Sequence, residues 1–579
     1  MTFAISNGAL FLNGLRKSSL AGICKKLGQA RGKSAIRTIL KSRIESEIEP
    51  VDPAPPATVA EPPPSIAPAR SRSELAFFAW AALVLRSVLT MAAGFITTPY
   101  LLRFLGAERL GAFRASQQWM SYLAFLYVGL GPTLAVLLLK PASRGDLAGT
   151  VGVLKSGMRI TMRQMLCVAL PAGLVLAWFM PQLVGVSASL RSELRWGTLF
   201  GLAALLLDPL DLFRSLLACR QLGSLVNLGL SLQAVTISVI AVWFAWLGWG
   251  LPGQFIANVI GIAACSAVLV SLAIRHLSGY MKSPRVEIDR TELWALRRPM
   301  LLTGIGGQMN LLTDYIVVSL VADPVAVVTF SITQRLMTVL GGFVSSFSEV
   351  SWAGLAELRA TGDSELFERR VLELIRLLLG TGLCLLATLA AFNQQFVRLW
   401  VGLSYYGGDA LTLLTAMQTA LVAYFMFFAW TIDMAGDNRY RVVVSLPAAI
   451  LNVILSIVLC RMLGLYGVTL ATVATYLLGE GWYAPYLFCT RYGVSGRVVV
   501  RETIRSIALA VPWGVIVWWT ITRSDFVVGW FSFTAAFGVA TLLTVAYAWF
   551  VVLRSEDRAS WRVRAAAMLN SRGPHGASR

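Results

Sequence analysis

The stretch "PYLLRFLGAERLGAFRASQQ", Pro99–Gln118, lies between two of the most apolar parts of the chain. Its charged residues and glycines gather between Arg103 and Gly111, whereas long apolar runs precede and follow it. A short polar break between apolar runs of roughly 20 residues is typical of a turn between two membrane-spanning helices. The stretch therefore predicts a tight helix–turn–helix at a membrane surface.

The composition of the whole chain agrees with this interpretation. The chain has 579 residues, of which 56% are hydrophobic and only 14% are charged, whereas soluble domains carry about 25% charged residues. The apolar runs recur from residue 74 onward and are continuous, unlike the alternating ten-residue segments of a β-barrel. We predict an all-α polytopic membrane protein with about fourteen transmembrane helices, among them helices at 196–217, 299–321 and 467–489.

The net charge of +20 is spread over loops and tails. That distribution favours membrane topology and attraction to anionic lipid headgroups, and it predicts no nucleic-acid partner. The seven cysteines form no CxxC motif, and the chain has only two histidines. We therefore predict no metal site, no cofactor and no catalytic residues.

Two regions outside the apolar core are predicted to be cytoplasmic tails. Residues 1–73 combine a basic cluster with a proline-rich tract that cannot form a packed core, so we expect disorder there. Residues 554–579 form a second basic tail. Loops on the same side as the tails hold most of the loop lysines and arginines, which predicts that both termini are cytoplasmic.

An internal repeat explains the position of the opening stretch. Asp314–Arg335 matches it at an offset of 215, which pairs Tyr100 with Tyr315 and Ser116 with Ser331. Further pairs follow at an offset of 217: Gly145-Asp146 with Gly362-Asp363, Arg159 with Arg376, and Val184-Gly185 with Val401-Gly402. Because the repeated unit holds six helices, both copies enter the membrane from the same side, as parallel repeats.

The repeat divides the chain into two lobes and two added segments. The predicted units are an N-lobe with helices one to six at 74–275, a cytoplasmic linker at 276–298, a C-lobe with helices seven to twelve at 299–489, and two extra transmembrane helices at 490–553. Two similar lobes without an external domain are typical of an alternating-access transporter.

The opening stretch also resembles a known family. Pro99, Leu101, Arg103, Leu105, Gly106 and Gly111 are similar to a motif of the multidrug/oligosaccharidyl-lipid/polysaccharide (MOP) flippase superfamily, in its polysaccharide-transporter and lipid-linked oligosaccharide flippase branch. Gly129-Leu130-Gly131 resembles a later glycine-rich step of that motif. The resemblance implies a MATE-like, two-lobed carrier. Such a carrier moves an undecaprenyl-pyrophosphate-linked oligosaccharide, the repeat unit of an exopolysaccharide or O-antigen, across a bacterial inner membrane.

A carrier of a pyrophosphate lipid needs cations that face a wet cavity. Charged side chains inside transmembrane helices are costly unless they meet water or a partner, so each one marks a candidate site. Arg86 lies midway along helix one and Arg335 lies in helix eight, one in each lobe. We expect these two guanidinium groups to bind the pyrophosphate. The alternative is that each pairs with a carboxylate, such as Asp314 for Arg335, to hold helices together.

Three acidic residues inside predicted helices are candidates for ion coupling or for lining the cavity. They are Asp208, Asp314 and Glu480. Asp208 precedes Pro209 and could serve as a protonatable coupling site or as a sugar ligand. Asp211 and Arg214 are three positions apart on one helix face, which predicts a structural ion pair.

Other functions remain as alternatives at this stage. A MATE-type drug/cation antiporter would favour acids over arginines in its cavity. A membrane glycosyltransferase, glycan polymerase or ligase needs a sizeable outer loop, whereas every predicted outer loop is short. A pore or scaffold fits duplicated lobes less well. Expected partners are the lipid-linked glycan, membrane lipids, and glycan polymerase or glycosyltransferases of the same pathway.

Overall fold

A computed structural model describes residues 72–123, 130–220, 222–344, 355, 358–359, 362–434, 439–523 and 527–570. The predicted tail at 1–73 therefore lies almost wholly outside the described residues, as does the end of the chain after residue 570. The regular α-helices that the structure describes are α1 Arg72–Leu105, α2 Ala107–Tyr122, α3 Leu130–Ser143, α4 Leu147–Gln164, α5 Leu170–Val184, α6 Arg191–Gly201, α7 Asp211–Cys219, α8 Gly223–Trp246, α9 Gly250–Leu277, α10 Arg290–Leu312, α11 Asp314–Val321, α12 Pro324–Thr333, α13 Arg335–Val344, α14 Ser364–Ile375, α15 Gly382–Trp400, α16 Asp409–Met434, α17 Arg439–Leu463, α18 Leu465–Leu478, α19 Glu480–Tyr492, α20 Gly496–Thr522, α21 Trp530–Tyr547 and α22 Ser555–Asn570.

The chain is a multi-pass membrane protein. Within the described ranges, nine helices are long and apolar enough to cross a bilayer, or ten if α12 and α13, which meet at a 52° bend, form one span. The nine are Ala81–Leu105, Leu147–Val184, Gly223–Trp246, Gly250–Tyr280, Ser364–Trp400, Asp409–Ala429, Val444–Leu463, Gly496–Thr522 and Trp530–Val552. The prediction of an all-α membrane protein is confirmed.

Several segments predicted as single helices are interrupted in the structure. The predicted helix at 196–217 contains a 3-10 segment, Leu202–Leu210, where Pro209 lacks the N–H that an α-helical hydrogen bond needs. The predicted helix at 299–321 breaks at Thr313, and the one at 467–489 breaks at Gly479. At a helix break inside a membrane, backbone groups without a helical hydrogen bond must be buried in protein or face water. Such breaks therefore suit the lining of a polar path through the membrane.

The third helices of the two predicted lobes begin alike. Gly145 and Gly362 both have positive φ, at 70° and 80°, and each precedes an aspartate that caps the helix. Asp146 accepts a hydrogen bond of 2.8 Å from the Gly149 amide, and Asp363 accepts one of 2.9 Å from the Leu366 amide. Both helices then continue through a π-helical segment, Met165–Ala169 and Arg376–Thr381. These matches favour the predicted duplication.

The two predicted lobes meet closely beside the turn at Gly106. Helix α2 packs against α12 of the other lobe, and a Cβ on Gly111 would overlap the Pro324 carbonyl oxygen. Gly106 itself has φ 82°, a conformation that strongly favours glycine, and it allows the immediate reversal between α1 and α2. The glycines of the opening stretch therefore permit both the turn and the contact between lobes.

Replacing Gly111 by valine should weaken this contact. The added side chain cannot fit against the Pro324 backbone, and overpacking of this kind costs about 1–3 kcal/mol. We expect a cysteine placed at Ser116, which is fully buried in α2, to react faster with a maleimide in the Gly111→Val background, in a chain whose native cysteines have been replaced. Gly538→Val is the matched control, because open space surrounds that helical glycine. Equal labelling rates in the two backgrounds would contradict the prediction.

The segment after residue 553 is more than a basic tail. Ser555–Asn570 forms helix α22, which returns to the start of the third helix of the C-lobe. Arg376 makes a two-pronged ion pair with Asp557, with Nε–Oδ2 and Nη2–Oδ1 distances of 2.7 Å. The sequence did not predict this contact, because the partners lie 181 positions apart.

Candidate functional site

One face of α2 carries three polar side chains to the other lobe. Arg114, Gln118 and Tyr122 are spaced four residues apart, so they lie in a row along the helix. Arg114 donates a hydrogen bond to the Ser331 hydroxyl. Gln118 Oε1 accepts one of 3.2 Å from the Tyr315 backbone N–H, and the Tyr122 hydroxyl lies 2.7 Å from Thr313 Oγ1.

Arg335 faces this row from the first residue of α13. Its guanidinium lies over the Phe95 ring, 5.4 Å from the centroid, and its Nη2 occupies the space where Gly94 has no side chain. Its buried Nε has no hydrogen-bond partner, and the guanidinium makes no ion pair with the described part of the chain. The predicted alternative, a pair with Asp314, is therefore absent among the described residues.

Tyr315 and Asp314 complete the group, which we call the interlobe cluster: Arg114, Gln118, Tyr122, Asp314, Tyr315, Ser331 and Arg335. Tyr315 interacts electrostatically with both guanidiniums, which are themselves close enough to repel each other. Asp314 Oδ1 is buried without a hydrogen-bond partner among the described residues, and the Gln418 side chain lies within reach of its carboxyl. Two cations and one acid thus share a partly buried space between the two predicted lobes.

Arg86 lies elsewhere on α1. It is eight residues before Gly94, a separation of about 12 Å along the helix axis. Its side chain is half-buried and makes no ion pair or hydrogen bond with the residues that the structure describes. The structure therefore does not bring Arg86 and Arg335 together around one phosphate group, and Arg114 takes the position beside Arg335.

The remaining predicted residues lie outside the interlobe cluster. Asp208 is half-buried in the 3-10 segment of the N-lobe. Arg214 Nη2 lies 2.8 Å from Asp211 Oδ2, and both side chains are about half exposed. Glu480 is the first residue of α19, is only 4% exposed, and lines a small pocket with Phe425 and Ser445.

Sequence reasoning missed Arg114 and Gln118 although both lie in the opening stretch. They lie beyond the charged group at Arg103–Gly111 and were not singled out as candidate site residues, whereas the structure places them a full turn or more inside α2 with their side chains bound to distant residues. The signal that could have identified them is the four-residue spacing of Arg114, Gln118 and Tyr122, which places them on one face of the helix after the turn. Loop charges do not follow such a period.

Comparison of the sequence with known proteins finds one distant relative. The chain is 23% identical over 484 residues to the uncharacterized membrane protein EpsK of Bacillus subtilis (strain 168), which covers 80% of this chain and 92% of EpsK. No protein-family model matches the sequence.

Solved structures give a stronger result for the fold. The lipid II flippase MurJ in an inward closed conformation superposes with a TM-score of 0.60, at 14% identity, over 83% of this chain and 100% of MurJ. An inward-facing multidrug resistance MATE transporter superposes with a TM-score of 0.54, at 13% identity, over 72% of this chain and 98% of that one. An outward-facing multidrug resistance MATE transporter superposes with a TM-score of 0.51, at 16% identity, over 73% of this chain and 99% of that one. The chain therefore has the fold that MurJ and the MATE transporters of the MOP superfamily share.

Proposed function

We propose that this protein is a flippase that moves an undecaprenyl-pyrophosphate-linked oligosaccharide across a bacterial inner membrane by alternating access. The observation that carries the proposal is the pair of guanidiniums, Arg114 and Arg335, in the partly buried space between the predicted lobes. Two like charges repel each other in a low-dielectric site, so they favour an anion placed between or beside them. A pyrophosphate group offers that anion, and the planar arginine fork matches its oxygens.

The contacts of the interlobe cluster suggest how transport would proceed. Ser331 and Tyr315, which belong to one lobe, now bind Arg114 and Gln118 of the other. A phosphate that binds Arg114 would compete with Ser331 for its guanidinium. Binding would therefore weaken the contact between the two lobes near Gly106. Binding would then favour the opposite opening, because a ligand shifts an equilibrium only through contacts that differ between the two states.

The finer architecture belongs to the same proposal. We infer fourteen transmembrane helices, arranged as two parallel six-helix repeats and two additional helices, with both termini in the cytoplasm. Arg86 lies about 12 Å along α1 from Gly94, on the side away from the Gly106 turn. It would contact the headgroup before the interlobe cluster does. Asp208, Asp314 and Glu480 stay candidates for ion coupling or for lining the path, and enzymes of glycan assembly are the proposed partners.

The alternative transport function is a MATE-type drug/cation antiporter, which shares the fold. The two arginines argue against it, because a cationic drug would be repelled from the interlobe cluster. The fold of a transporter superfamily also disfavours the enzymatic alternatives, a membrane glycosyltransferase or glycan polymerase.

A reconstitution experiment separates these functions. The purified protein is placed in vesicles that contain a fluorescent, lipid-linked pyrophosphate glycan, and a membrane-impermeant quencher reports which leaflet holds the label. We expect the quenchable fraction to rise above that of protein-free vesicles without release of sugar. Export of a cationic dye down an ion gradient, with no glycan movement, would support the antiporter instead. Release or lengthening of the glycan would indicate an enzyme.

A further inference from the structure

A second group of arginines lies far from the interlobe cluster, where α20 begins and α22 returns to the C-lobe. Glu502 is almost fully buried and forms ion pairs with three guanidiniums: Arg376 at 3.3 Å, Arg505 at 3.5 Å, and Arg554. Arg376 also binds Asp557. One carboxylate thus gathers three cations at the point where α14, α20 and α22 meet.

The charges of this group do not balance. Its remaining members are Glu373, Arg370 and Arg564. Glu373 pairs with Arg370 at 2.6 Å and with Arg564 at 3.2 Å. Among the described residues, the group therefore holds five guanidiniums and three carboxylates: Arg370, Arg376, Arg505, Arg554 and Arg564 against Glu373, Glu502 and Asp557. Arg505 and Arg554 keep 33% and 39% of their side chains exposed. The surplus positive charge is thus accessible at the edge of the group.

Arg501 adds to the same edge. It is exposed, it lies one helical turn before Arg505 on α20, and it makes no ion pair with the described part of the chain. The neighbouring face of α20 is apolar and open: Val500, Ile504, Ile507 and Val511 recur at helical spacing with exposed fractions of 44%, 61%, 43% and 56%. An exposed apolar stripe on a membrane-spanning helix is a surface for acyl chains.

We propose that Arg501, Arg505 and Arg554 form a binding site for an anionic phospholipid of the surrounding bilayer. The phosphate of the lipid meets the three guanidiniums, and an acyl chain lies along Val500, Ile504, Ile507 and Val511. The negative charge of the phosphate balances the positive charge that Glu502 alone does not neutralise. Basic pockets between transmembrane helices at a membrane surface bind lipid headgroups in this way.

The ligand is a resident phospholipid and not the transported substrate. The site faces outward on α20, with the acyl stripe exposed, whereas Arg114 and Arg335 are partly buried between the predicted lobes, where Arg114 binds Ser331. A headgroup here would also bridge α20 to α22, since Arg505 belongs to the first and Arg554 directly precedes the second. The bound lipid would therefore stabilise the attachment of α22.

Phosphatidylglycerol is the probe that tests this proposal. The full-length protein in neutral detergent is titrated with phosphatidylglycerol, and binding is followed by native mass spectrometry and by the rise in melting temperature; phosphatidylcholine serves as the neutral lipid. We expect saturable binding of phosphatidylglycerol, with an apparent affinity that falls about fivefold in Arg501→Gln and about fivefold more when Arg505→Gln is added. Arg523→Gln, at the opposite end of the same helix, should bind as the wild type does.

Each other outcome contradicts the proposal. Arg501 makes no ion pair among the described residues, so Arg501→Gln should fold normally, and an unchanged affinity in that variant would overturn the site. Equal losses in Arg501→Gln and Arg523→Gln would indicate a general charge effect. Displacement of phosphatidylglycerol by equimolar undecaprenyl pyrophosphate would assign these arginines to the carried lipid. The readout is binding without transport, so it stands apart from the flippase test.

Discussion

Replacing Arg376 by methionine should destabilise the protein by about 3–5 kcal/mol. The substitution keeps most of the buried volume, but it leaves Asp557 and Glu502 without the guanidinium that now lies 2.7 Å and 3.3 Å from them. All three side chains are at most 5% exposed. Water therefore cannot replace the lost partner: Asp557 is left without a guanidinium among the described residues, and Glu502 keeps only the partly exposed Arg505 and Arg554. We expect a large drop in the temperature at which the detergent-solubilised protein loses its monodisperse state.

The repeat supplies a matched control for this prediction. Arg159 aligns with Arg376 in the N-lobe, yet it is exposed and makes no ion pair with the described residues. Arg159→Met should therefore change the melting temperature little. Trypsin should also cleave within α22 faster in Arg376→Met, because Asp557 anchors that helix. Similar melting temperatures for the two variants would show that the pair contributes nothing to the stability.

Removing the charge of Arg335 should reduce glycan movement about 10- to 100-fold. A hydrogen bond to a charged group contributes about 1.5–3 kcal/mol, and Arg335 offers the proposed pyrophosphate a buried Nε that has no hydrogen-bond partner among the described residues. Arg335→Gln keeps a similar length and polarity but has no charge. The fluorescence assay in reconstituted vesicles measures this effect directly, at matched amounts of inserted protein.

Three variants distinguish a role in substrate binding from a role in folding. Arg335→Lys keeps the charge and should retain part of the activity, but the ammonium cannot reproduce the planar fork. Arg114→Gln should lower transport to a similar extent, since its guanidinium lies in the same cluster. Arg461→Gln, an exposed arginine near the end of α17, is the control and should transport normally. Full activity in both Arg335→Gln and Arg114→Gln would remove the interlobe cluster from the mechanism.

Much of the fold could be predicted from the sequence because a bilayer imposes a simple rule. Backbone polar groups cannot remain unpaired in hydrocarbon, so apolar runs of sufficient length become helices, and their limits are read from composition alone. The turn at Gly106 could also be predicted, because a short polar stretch there separates two apolar runs. Gly106 adopts the positive φ of 82° that the turn requires. The caps at Asp146 and Asp363 appear at the predicted repeat positions, because capping is a local interaction within four residues.

Interactions between distant parts of the chain were decided only by the tertiary structure. Nothing in the sequence connects Arg114 with Ser331, 217 positions later, whose hydroxyl accepts its hydrogen bond in the structure. In the sequence, Arg86 and Arg335 are both arginines inside a predicted transmembrane helix. In the structure, the Arg335 guanidinium contacts Gly94, which lies about 12 Å along α1 from Arg86. The sequence determined which segments enter the membrane, because that choice depends on local hydropathy. The structure decided which charges meet, because helix packing brings together residues that no local pattern connects.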